Sequence, residues 1–175
     1  MSEPSLSDLS CLCLACGLCC SGTVFTHVKL DADDSAKLQH AGKELTNDAD
    51  RINFPCQFLC GSTCSAYKER PKTCAEYRCE TLIAAQSGKI GLDDAHQKIA
   101  SVVALNDKFI RTLPEGIDVT TAQQFISEDQ PPPQIDHMQF QALRLAFVAL
   151  QAGIDHHIRR EGEKVIFSMP TASED

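Results

Sequence analysis

Four cysteines stand within the eight residues Cys13-Leu14-Ala15-Cys16-Gly17-Leu18-Cys19-Cys20, and this stretch limits the chain more than any other. A second group follows in Pro55-Cys56, Cys64 and Arg70-Pro71-Lys72-Thr73-Cys74, so that all ten cysteines fall between residues 11 and 79. Cys-x-x-Cys is a short loop that brings two thiolates to one metal, and both Cys13/Cys16 and Cys16/Cys19 have that spacing. Gly17 suits a turn that needs a positive φ or a close approach of backbone to sulfur. Cys19 and Cys20 are adjacent, and neighbouring side chains diverge. Either one of the pair serves a second metal or cluster, or one stands behind the ligands.

The stretch does not complete a site by itself. A zinc ribbon wants a second Cys-x-x-Cys about 15–20 residues on, and none is present. Bacterial ferredoxin spacing is approached, but its fourth cysteine followed by proline is missing. The remaining ligands must therefore come from Cys56, Cys64, Cys74 or Cys79. The repeated spacing favours ligation over the ordinary role of cysteine as a small buried hydrophobe, a role left to Cys11 and Cys60. A disulfide scaffold needs export, and the polar, acidic start Met1–Ser10 lacks the basic and apolar regions of a signal peptide. The expectation is a cytoplasmic protein with reduced thiols.

Length and charge exclude other classes. At 175 residues one domain is expected, with a mainly aliphatic core because Trp is absent. No run of about 18 apolar residues is present to cross a membrane. The net charge is −8, and the basic residues form no stripe, so the footprint of a nucleic-acid binder is missing. No P-loop, nucleophile elbow or HExxH motif is found.

Local patterns predict the elements. Residues 1–10 read as a loosely tied terminus. Ser21-Gly22 is a turn, and Val24–Leu30 suits a short strand. Asp31–Asp34 start a short helix that ends near Gly42, and 43–53 form an irregular loop. Gly61-Ser62-Thr63 turns between two short extended pieces. Thr73 and Glu76 form a capping box, so one helix is predicted from about Cys74 to Ser87-Gly88. Apolar residues from Leu92 to Leu113 recur at helical steps until Pro114 stops them. Thr120–Ser127 adds a turn or two, and Pro131–Pro133 is a stiff connector. Asp136 caps a last long helix with Met138, Ala142, Leu145, Ala149, Leu143, Phe147 and Leu150 on a broad apolar face; it ends near Gly153 or runs past Ile158. Val165-Ile166-Phe167 suits a terminal strand. The fold class is α-rich α+β: an irregular cysteine-cluster region with short strands (11–88), packed against supporting helices (89–175).

The Cys-x-x-Cys-Gly-x-Cys-Cys opening, Pro-Cys-x-Phe-Leu, Cys64-Ser-Ala-Tyr67 and Arg70-Pro71-x-x-Cys74 together resemble the YkgJ-type cysteine-cluster family, described as carrying a zinc- or iron-chelating domain. The resemblance covers about residues 13–80. It implies Cys13, Cys16, Cys19, Cys20, Cys56, Cys64 and Cys74 as metal ligands, with Cys79 as a further candidate and Cys11 and Cys60 where the family varies. Flagellin lysine N-methylases are similar in their cysteine cluster. Here, however, no strand–Gly-x-Gly–helix is present to cradle S-adenosylmethionine, and that activity is not carried over.

Other positions are secondary. On a continuous helix Cys74 and Cys79 would point about 140° apart. Arg70 suits either a cation that offsets thiolate charge or a solvated surface arginine, and for Arg78 the surface role explains the position better. His27 lies near the first cluster, although ordinary packing explains it better. His156-His157 suit a helix C-terminus, and Asp33-Asp34 and Asp93-Asp94 suit helix starts. Two functional classes follow: a zinc or iron protein with closed thiolate sites, or an iron–sulfur redox enzyme or electron carrier. Thiolate ligands serve both.

Overall fold

A computed structural model describes residues 6–43, 45 and 50–160. The chain is helical from α1 (Leu6–Cys16), ahead of where the sequence suggested order, and Cys11, Cys13 and Cys16 are on this helix. Leu9 and Leu12, one turn apart, are buried and fasten α1 to the core. Gly17 ends it at φ +66°, where its N–H reaches the Cys13 carbonyl at 3.1 Å. That left-handed step is open to glycine at little steric cost.

Strand β1 (His27–Lys29) pairs antiparallel with β2 (Arg51–Asn53), Val28 opposite Ile52, and both of these side chains are buried. The strand β2 replaces the end of the expected irregular loop, because Ile52 gains a buried partner across the ladder. Between them, α2 (Ala32–His40) is capped by the Asp31 carboxylate, which accepts from the Asp34 N–H. A second small hairpin joins β3 (Leu59–Cys60) to β4 (Thr63–Cys64). Phe54-Pro55, between the two sheets, is a cis peptide bond.

The single helix expected from Cys74 to Gly88 is two. Helix α3 (Lys72–Glu76) stops at Tyr77, whose ψ of 132° is extended, and α4 (Glu80–Gln86) begins after Cys79. Thr73 makes no capping bond; Pro71 holds the N-cap position, and Thr73 is buried inside the helix.

Helices α5 (Leu92–Thr112), α6 (Val119–Ser127) and α7 (His137–His157) form the supporting layer, with α5 and α7 packed along their lengths. Asp136 caps α7 in a reciprocal capping box with Gln139. The buried face of α7 is Phe140, Leu143, Ala146, Leu150 and Ile154, whereas Met138 (81% exposed) and Leu145 (71%) lie on solvent, contrary to expectation. Gly153 lies inside α7, where a Cβ would stand 2.7 Å from the end of Leu105, and so lets α5 and α7 close together. Leu9, Leu12, Val28 and Leu38 share one hydrophobic core with Ile99, Phe109, Leu143 and Leu150. Thr23 adds a buried polar tie between the layers, its hydroxyl donating to Asn106 Oδ1 at 2.9 Å. The expected strand at Val165–Phe167 lies outside the described residues.

Candidate metal centre

The end of α1, the β3–β4 hairpin, α3 and the start of α4 enclose a cavity of about 180 Å³. Eight of the ten cysteines line it: Cys13, Cys16, Cys19 and Cys20 from α1 and the turn after it, then Cys56, Cys64, Cys74 and Cys79. Cys11 and Cys60 do not. They are exposed rather than packed as small hydrophobes, Cys11 on the outer side of α1 and Cys60 at the hairpin tip. All ten are free thiols.

Each segment is held at the cavity by its own backbone. After Gly17 the chain turns tightly, with the Cys20 and Ser21 N–H groups both donating to the Gly17 carbonyl. A Cβ at Gly17 would meet Ser62 Cα at 3.2 Å, so this turn sits directly on the β3–β4 hairpin. The Cys56 N–H donates to the Cys20 carbonyl at 2.7 Å, and the Leu59 N–H donates to the Cys56 carbonyl. Cys64 then pairs with Leu59 across the hairpin.

Asp34, which suits a helix start in the sequence, and Thr81, which carries no sequence signal, position the last two cysteines. Asp34 is buried, and its carboxylate accepts from the Lys72 N–H at 2.9 Å, supplying the cap for α3 that Thr73 does not. Cys74 is thereby set against the cavity. Thr81 donates its hydroxyl to the His157 carbonyl at 2.5 Å, and the Glu80 N–H donates to the Ile158 carbonyl at 3.0 Å. The free N–H end of α4 and the free carbonyl end of α7 thus satisfy one another, and Cys79 is fixed at the head of α4. The break at Tyr77 to Cys79 removes the constraint that a continuous helix would impose. Arg78 stabilises that break by donating to the Ala75 and Tyr77 carbonyls.

Burial is the largest influence on seven of these thiols. It pushes Cys16 and Cys20 from 9.0 up to about 12 and Cys79 up to about 11, and it raises Cys19 and Cys74 strongly. Cys56 and Cys13 are raised for the same reason. Cys13 leaves much of its residue surface on solvent, yet its thiol turns inward, where Arg78 and then Arg70 pull the other way. Backbone N–H groups also aim at sulfur: Leu18 at Cys16, Phe58 and Leu59 at Cys56, and Leu82 and Thr81 at Cys79. Donors at the second and third residues after a cysteine stabilise thiolate charge.

Among the described residues, no three cysteine, histidine or carboxylate side chains already stand at metal-holding distance. The donor set still fits a soft cation, because the sulfurs share one cavity and N–H donors face three of them. Ligation must draw the sulfurs inward. His27 is not among the lining residues; it starts β1, with Nδ1 3.1 Å from the Thr26 hydroxyl. His156 and His157 lie together in the last turn of α7, ring centroids 4.5 Å apart. Arg70 stacks over the Tyr67 ring at 3.9 Å and lines the cavity with Arg78. No described helix is long and apolar enough to cross a membrane.

No curated protein and no solved structure matches the chain. The model of one protein family does match, over residues 12–101, a span that contains all eight cavity cysteines and the first half of α5. The chain belongs to this CxxCxxCC family, described as a "putative zinc- or iron-chelating domain".

Proposed function

We propose that the protein chelates zinc or iron through Cys13, Cys16, Cys19, Cys20, Cys56, Cys64, Cys74 and Cys79, and that these thiolates are its metal ligands. The observation that carries this reading is the convergence of eight cysteines from separate segments on one cavity, while the two left out are exposed. Free thiols are the state that ligation requires and that a reducing compartment such as the cytoplasm maintains. Each thiol that binds gives up its proton to solvent. The N–H donors at Cys16, Cys56 and Cys79, with Arg70 and Arg78, stabilise the charge left behind.

Protein purified without oxygen is expected to carry about one or more equivalents of zinc or iron by elemental analysis. A folded, metal-free preparation from metal-replete cells would sink the proposal. The same sample separates the two functional classes. Iron and sulfide in a brown sample with broad visible absorption assign an iron–sulfur cluster and an electron-transfer role; a colourless zinc protein removes that role.

A further inference from the structure

We propose that the cavity holds two separate centres with four cysteine ligands each: Cys13, Cys16, Cys19 and Cys79 in one, and Cys20, Cys56, Cys64 and Cys74 in the other. This rests on the chelation reading above and adds the number of centres and the ligands of each.

Backbone connectivity makes the division. Cys13 and Cys16 are three residues apart in the last turn of α1, so they lie on one helix face. Helix α4 packs against α1, and its N-cap residue is Cys79. Cys19 follows Cys16 at the same spacing, across the Gly17 turn. The second set is joined differently. The Cys20 carbonyl holds the Cys56 N–H, the Cys56 carbonyl holds the Leu59 N–H, and Leu59 pairs with Cys64. Helix α3, capped by Asp34, packs beside β1 and sets Cys74 on the same cavity.

The chemistry needs no oxidant. A divalent ion taking four thiolates displaces four thiol protons to solvent and leaves each centre with net charge −2. Four thiolates match what zinc takes in closed sites and what iron–sulfur clusters take, so the division holds for either. Arg70 and Arg78 line the same cavity and bring positive charge to it.

The full chain loaded with cadmium-113 and examined by cadmium–proton correlation NMR tests this. About two ions per chain are expected, giving two resonances. One should correlate with the β-protons of Cys13, Cys16, Cys19 and Cys79, and the other with those of Cys20, Cys56, Cys64 and Cys74. A single resonance, or correlations that mix the sets, overturns the division while leaving chelation standing. Folded protein that takes up no cadmium overturns chelation itself. Cys79→Ser and Cys74→Ser, each checked for native helix content by circular dichroism, should each retain about half the bound metal. Loss of all metal from either folded variant marks one shared cluster and refutes two centres.

Discussion

At Cys16 burial opposes ionisation, while the Leu18 N–H favours it. A cation at the sulfur relieves the conflict, since it makes the buried thiolate a ligand. Cys60 faces no such conflict. Its side chain is exposed at the β3–β4 turn, where its carbonyl accepts from the Thr63 hydroxyl, a bond that substitution at the sulfur leaves in place. Cys16→Ser in the metal-loaded protein is therefore expected to lose at least ~2 kcal/mol, because metal binding and folding are coupled. Cys60→Ser should stay within ~0.5 kcal/mol of the parent. Urea denaturation of the two variants checks this, and equal midpoints would contradict the assignment of Cys16. Residue types and spacing along the chain made this contrast legible. Exposure of Cys11 and Cys60 was not, because cysteine is as much at home in a core as on a surface.

At the scale of elements, the decisive feature is the division between α3 and α4. The sequence pattern Thr73-x-x-Glu76 has a local meaning that the fold overrides. Asp34, 38 residues away from Lys72, takes over the cap, and Tyr77 turns extended while Arg78 closes the carbonyls behind it. Helix α4 is then anchored by α7 through Thr81, which is 3% exposed. Thr81→Val keeps the shape and removes the hydroxyl, leaving the His157 carbonyl without that bond. A loss of ~1–2 kcal/mol is expected, read by urea denaturation. Because Thr81 is two residues from Cys79, metal release to a competing chelator should also be faster. Unchanged release kinetics would show that α7 does not position Cys79. The longer helices were easier to read. Helix α5 has a single apolar stripe and a proline stop, and both its limits emerge from the sequence. Helix α7 carries apolar residues around much of its circumference, so its start at Asp136 was legible and neither its end at His157 nor its buried face was. Packing against α5 through Gly153 chose Phe140, Leu143, Leu150 and Ile154 and left Met138 and Leu145 on solvent.

For the whole molecule, the cysteine region is joined to the helical layer by a common core, by Thr23 with Asn106 and by the α4–α7 junction. The metal-stripped protein should depend on its thiols remaining neutral. Their folded pKa values are raised, to about 11 for Cys79 and about 12 for Cys16 and Cys20, against 9.0 when unperturbed. The unfolded chain ionises first as pH rises. The stability held by the neutral buried thiols is thus fully present below pH 9 and is lost as pH climbs through 11 to 12. Denaturant midpoints of the stripped protein should fall across that alkaline range. The metal-loaded protein, whose thiols have already released their protons, should show a weaker dependence. Identical profiles for the two forms would argue that these thiols do not take part in metal binding.

By itself, the sequence determined the cysteine donor set and the local geometry: the turn at Gly17, the caps at Asp31 and Asp136, and the stop at Pro114. Those are properties of residues a few positions apart, where sterics and hydrogen bonding act without help from the rest of the chain. Which cysteines gather at the cavity was left to the tertiary structure. Cys79 lines the cavity because α4 is held by the end of α7, and Cys74 lines it because Asp34 caps α3. Loop closures across more than 50 residues are decided by the core that closes them, and no spacing rule along the chain encodes that.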